Sequence, residues 1–132
     1  MTKQQIVTTA REWLGTPYHH QARAKGIGVD CIGLVLGVLR ELGVYSFDFT
    51  DYDRTPDSTV LLSLLEAHCT PTDSPEPGDI HLFRIKRNPQ HVGIVSDIGL
   101  IHAYQGVKKV VEHPMDEFWM VRVYKSFILP GI

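Results

Sequence analysis

The chain has little cysteine, with Cys31 and Cys69 the two thiols among 132 residues. Two thiols cannot build the bridged framework that stands in for a core in small secreted domains, and a chain of this length can bury a core without one. Excess charge of either sign is also missing. Thirteen Lys and Arg against fifteen Asp and Glu leave a formal net charge of −2. Such a balance gives no basic field for a phosphate backbone, so no nucleic-acid partner is expected. No run approaches the ~20 apolar residues that cross a bilayer, which excludes membrane insertion by a helix. The opening "MTKQQIVTTAREWL" lacks the apolar stretch of a signal peptide. The reading is therefore a protein made in the cytoplasm, whose later passage out of the cell would need another vehicle. Internal repeats, low-complexity tracts and linkers are absent too, which points to a single domain over residues 1–132.

What is present is a change of period along the chain. Residues 3 to 14 place Ile6, Ala10, Trp13 and Leu14 at helical spacing behind Thr2, a plausible cap, and "GTPY" (15 to 18) ends that helix. Residues 31 to 42 predict a second helix, capped by Asp30 and closed by Gly43. Gly33 and Gly37 weaken its propensity, so another element is expected to pack closely there. Residues 45 to 56 read as a surface loop and 58 to 68 as a third helix ending near Cys69, an inert buried thiol. Beyond the Pro-rich turn "PTDSPEPGD" the pattern becomes short and β-branched: "IHLFRI", "HVGIVSD", "LIHAY", "VKKVVEH" and "WMVRVYKSF". Helices first and strands second predict an α+β fold with an antiparallel sheet.

"GVDCIGLV" (28 to 35) then stands out, because it sets Cys31 at the first turn of a helix. Unpaired backbone N–H groups and the positive end of the dipole favour a thiolate there. A nucleophilic cysteine also needs a base. His91 opens the strand "HVGIVSD" and His102 lies in "LIHAY". If "SDIG" (96 to 99) is a four-residue hairpin loop, Val95 pairs with Leu100 and Gly93 with His102, and both imidazoles fall on one face. A three-residue loop would put them on opposite faces. A helix-borne Cys meeting a sheet-borne His, itself oriented by a third polar group, is the logic of papain-like peptidases.

The motifs "GTPY" (15 to 18), "DCIGLV" (30 to 35), "EPGDIHLF" (76 to 83), "HVGIV" (91 to 95) and "IHAY" (101 to 104) occur in the order of a known family. With them the chain resembles the NlpC-type papain-like cysteine peptidases of the bacterial cell wall, especially their compact phage branch. The resemblance implies a papain-like fold with no cofactor, Cys31 as nucleophile, His91 as base and His102 as the residue orienting that base. It also implies Tyr18 as a hydroxyl beside the nucleophile. The implied reaction is hydrolysis of peptidoglycan stem peptides, typically between D-γ-glutamate and a diamino acid. Phage tail proteins are the implied assembly partners, and the cell wall, reached in a phage or phage-like particle, is the implied place of action. Ile32 departs from the serine common after the family cysteine, a position near the substrate, so the stem peptide recognised is left open.

Three other classes remain beside this reading: an amidase or acyltransferase sharing the acyl-enzyme step, a tail-assembly component that keeps the fold as scaffold, and a Cys-His-His zinc site. Asp30 is read first as a helix cap and second as a contact for a substrate amine. His19, His20, His68, His81 and His113 are read as having no catalytic part. The adjacent His19 and His20 lack the i, i+4 spacing that would put two ligands on one helix face, so no metal is expected there.

Overall fold

The computed structural model describes residues 1–44, 60–86 and 88–132. The loop expected over 45 to 56 lies outside the described residues. Three helices come first: α1 (Lys3–Arg11), α2 (Cys31–Glu41) and α3 (Val60–His68), with a two-stranded ribbon of β1 (Arg23–Ala24) and β2 (Gly28–Val29) between α1 and α2. Then come β3 (Thr70–Pro71), β4 (Ile80–Ile85), β5 (Asn88–Val95), β6 (Leu100–Tyr104), β7 (Lys109–His113), the short helix α4 (Glu117–Met120) and β8 (Val123–Ile128). Strands β3 to β8 form one antiparallel sheet in the order β3-β8-β4-β5-β6-β7.

The local signals in the sequence account for most of these boundaries. Thr2 caps α1 through a reciprocal capping box: its hydroxyl accepts from the Gln5 N–H at 3.1 Å, and the Gln5 side chain accepts from the Thr2 N–H at 2.8 Å. Gly37 is required by close approach, since a Cβ there would lie 2.4 Å from the Trp13 ring. That contact lets α1 and α2 pack with the indole against bare backbone. The period-two segments "IHLFRI" and "LIHAY" form β4 and β6 over the residues they span.

One expectation fails. "WMVRVYKSF" does not run as a strand throughout, because Trp119 and Met120 belong to α4. The Asp116 carboxylate accepts from the Trp119 N–H at 3.2 Å and starts this turn, and the strand begins at Val123.

The sheet has two unlike faces. Val92 and Ile94 of β5, Ile101 and Ala103 of β6, and Ile80 and Leu82 of β4 point into the main core with the apolar sides of α1, α2 and α3. The alternate residues Phe83, His91, Leu100 and His102 point the other way. That second face carries a smaller cluster of Phe83, Leu100 and Trp119, flanked by Ile85, Tyr104, Met115 and Val123. Arg11 at the end of α1 ties the sheet to the helices, pairing with Glu112 of β7 at 2.9 Å and with Asp97 in the β5–β6 turn.

Candidate active site

Cys31 is the first residue of α2, and Asp30 is its cap. The Asp30 side chain is buried at 1% exposure, with one oxygen accepting from the Gly33 N–H at 2.8 Å and the other from the Gln21 N–H at 2.7 Å. Asp30 thus fastens the preceding loop to the helix start. Gly33 is held equally tightly, because a Cβ there would lie 2.4 Å from the Ala22 carbonyl oxygen. Tyr18 is half-buried, with its backbone bridged to Val29 and its N–H donating to the Lys108 carbonyl at 2.8 Å.

The electrostatics of the thiol differ from the expectation of a helix-lowered pKa. Burial and the neighbouring Asp30 carboxylate push Cys31 up to about 12, against the opposing pull of the Val92, Ile32 and Cys31 N–H groups. Desolvation outweighs the helix terminus because those few dipoles cannot replace bulk water around an anion.

The hairpin has the expected even loop, but the β5–β6 ladder stops at Ile94 with Ile101, so the expected Gly93–His102 pair is not made. Val95 pairs with Leu100, and the turn closes with the Ser96 N–H donating to the Gly99 carbonyl at 3.0 Å. His91 and His102 therefore share a face, and His91 Nε2 lies 2.7 Å from His102 Nδ1. Gly93 makes this possible, since a Cβ would come within 3.2 Å of the His102 Cβ and 2.5 Å of Leu100. Both rings are buried, and desolvation holds them neutral: His91 is pushed down to about 3 and His102 to about 2. The neighbouring His91 and His113 contribute further to the shift of His102.

The contact does not end at His102. Its Nε2 lies 2.8 Å from Nε2 of His113, and His113 Nδ1 lies 2.8 Å from the Pro114 carbonyl oxygen. Successive nitrogens at 2.7–2.8 Å are at hydrogen-bond distance. Two nitrogen ligands on one tetrahedral zinc stand roughly 3.3 Å apart, so the spacing here suits shared protons. Trp119 lies against all three imidazoles, with ring centroids 5.5 Å from His91, 4.8 Å from His102 and 6.1 Å from His113. A groove of about 440 Å³ opens beyond them, bordered by Tyr104, Val107, His113, Pro114, Asp116 and Trp119.

A thiol at a capped helix start and a buried histidine pair on an antiparallel sheet now stand against known proteins. The sequence profile of the NlpC/P60 family matches residues 15–127. The chain belongs to the NlpC/P60 family. Among solved structures, this NlpC/P60 chain resembles the NlpC/p60 domain of the peptidoglycan hydrolase SagA, at 20% identity with a TM-score of 0.67, covering 98% of this chain and 100% of that one. It also resembles NlpC2 from Trichomonas vaginalis, at 18% identity with a TM-score of 0.71 over 96% of this chain and 46% of that longer one. An N-acetylmuramoyl-L-alanine amidase from Bacteroides uniformis has the same fold at 14% identity, with a TM-score of 0.57 over 98% of this chain and 99% of that one. A search of curated protein sequences finds no match. The fold of this NlpC/P60 chain is accordingly papain-like α+β, as its sequence predicts.

Sequence reasoning on the NlpC/P60 chain named Cys31, Asp30, Tyr18, His91 and His102. The structure joins Asp30 with Cys31 at the start of α2 and His91 with His102 across β5 and β6, and it adds His113, which that reasoning set aside. The signal for His113 was available. With Tyr104 and Lys109 closing the next hairpin, Leu100 pairs with His113, which puts His113 diagonal to His102 on the same face. Trp119 was missed because its segment read as a strand.

Proposed function

We propose that this NlpC/P60 chain is a cysteine peptidase of peptidoglycan stem peptides, with Cys31 as nucleophile, His91 as base and His102 as the group that orients the base. What supports this reading is a thiol at the capped start of α2 and a buried His91 on β5 whose Nε2 lies 2.7 Å from His102 Nδ1, in a chain of the NlpC/P60 family. That engagement leaves His91 Nδ1 as the ring nitrogen available to the thiol. With the thiol raised and the imidazole lowered, the resting pair is neutral, so the proton passes to His91 as sulfur attacks the carbonyl carbon. The Cys31 N–H and the Tyr18 hydroxyl are the donors proposed for the oxyanion. The imidazolium then protonates the departing amine. Water, deprotonated by His91, hydrolyses the thioester and restores the thiol.

The bond proposed is D-γ-glutamyl to the diamino acid, and the setting proposed is the cell wall, reached with a phage or phage-like particle. Both rest on the resemblance of the five sequence motifs to compact phage members. Asp30, with both carboxylate oxygens engaged by backbone N–H groups, serves this proposal as the clamp of the nucleophile rather than as a substrate contact.

Incubation with defined muropeptides, with product masses read by mass spectrometry, tests the reading. Cleavage after D-γ-glutamate by the wild type, none by Cys31→Ala and none of casein is the expected result. Release of intact stem peptide from muramic acid would reassign the chain to amidase chemistry. No cleavage of any wall fragment would favour a scaffold role.

A further inference from the structure

We propose that His113, anchored by the Pro114 carbonyl, is a positioning residue that fixes the tautomers of His102 and His91. The proposal rests on the peptidase reading for its consequence and on proton counting for its content. A neutral imidazole carries one N–H and one lone pair, on opposite nitrogens. Two neutral imidazoles in contact can share a proton in either direction, so the His91–His102 pair alone does not specify which nitrogen of His91 stays bare.

The third ring and the carbonyl remove that ambiguity. A carbonyl oxygen can only accept, so His113 Nδ1 donates to Pro114 at 2.8 Å, and its Nε2 becomes the acceptor. His102 Nε2 therefore donates across the 2.8 Å contact to His113, and its Nδ1 accepts. His91 Nε2 donates to that Nδ1 at 2.7 Å. The count ends with the lone pair on His91 Nδ1, the nitrogen left to act as base in the proposed reaction. Reversing any one contact would place two N–H groups or two lone pairs face to face. Trp119 packed against all three rings hinders the flips that such a reversal would require.

Long-range ¹H–¹⁵N spectra of the intact 14.9 kDa protein read the tautomers directly. The expected wild-type spectrum at neutral pH shows bare nitrogens at His91 Nδ1, His102 Nδ1 and His113 Nε2. In His113→Leu, the reversed tautomer should appear at His91 and His102, and kcat should fall roughly tenfold with KM unchanged, the worth of one hydrogen bond. In His113→Gln, the amide oxygen can accept from His102, so tautomers and kcat should stay near wild type. A His91 Nδ1–H in the wild type, or His113→Leu with unchanged tautomers, would overturn the proposal. A tenfold loss shared equally by His113→Gln would overturn it as well. The wild-type spectrum needs neither substrate nor a folded Leu variant, so a protein that cut no stem peptide would lose the peptidase reading while the tautomer assignment was still decided.

Discussion

The two faces of the sheet are built for different tasks. The helix face is aliphatic and continuous, with Leu34, Val35, Val38, Val92, Ile94 and Ile101 essentially excluded from water. The opposite face spends its buried positions on imidazoles and aromatic rings around Trp119. Aliphatic burial contributes stability without demanding partners. Each buried imidazole demands a hydrogen-bond partner and a fixed protonation state. The difference shows how a small domain keeps its chemistry from eroding its fold: one face carries the stability, the other the polar groups that chemistry needs.

Substitutions on each face should separate the two tasks. His91→Ala should lower kcat by about 10²–10⁴-fold while the folded protein keeps its far-UV circular dichroism. A loss of fold instead would show that the histidine face also carries the stability. Leu34→Ala, on the helix face, should cost about 2–5 kcal/mol in denaturant unfolding and leave the kcat of the folded fraction unchanged.

Acid should act mainly through the histidine face. His91 and His102 titrate far below the ~6.5 of an unfolded imidazole. Below pH ~6.5 the unfolded chain therefore takes up protons that the folded chain refuses, and stability falls as pH drops from there toward 3. Between pH 6.5 and 5 the loss should be on the order of 2 kcal/mol per imidazole, read as a shift in urea midpoint. His91→Ala should show a shallower dependence. A midpoint independent of pH over this window would mean that the folded rings take up protons as readily as the unfolded ones. The smallest effect is at the far end of the helix layer, where Thr2→Ala should cost about 1 kcal/mol and leave kcat untouched.

Much of this was legible because local signals and tertiary structure agree. The loop at 96 to 99 sets the register by its length, so the His91–His102 pairing could be counted before any coordinates. Gly37 announced a close neighbour, and Trp13 is that neighbour. What stayed hidden depends on distant residues. Trp119 opens a segment read as a strand; the Asp116 cap starts its helical turn, while its packing over the histidines is visible only in the fold. The raised Cys31 pKa was hidden for the same reason: a helix start is visible in sequence, while the protein that displaces water from a thiol is not.

The seam between β5 and β6 carries a mechanical consequence. Among the described residues, backbone pairing joins these strands only at Ile94 with Ile101 and Val95 with Leu100, whereas β4 and β5 are paired along six positions. His91 hangs from one side of that seam, and His102 and His113 from the other. A breathing motion that opens the short zipper separates the histidines while both flanking strand pairs stay zipped. Heating should therefore silence the enzyme below the temperature at which its helices melt, and amide exchange should be faster along this seam than between β4 and β5.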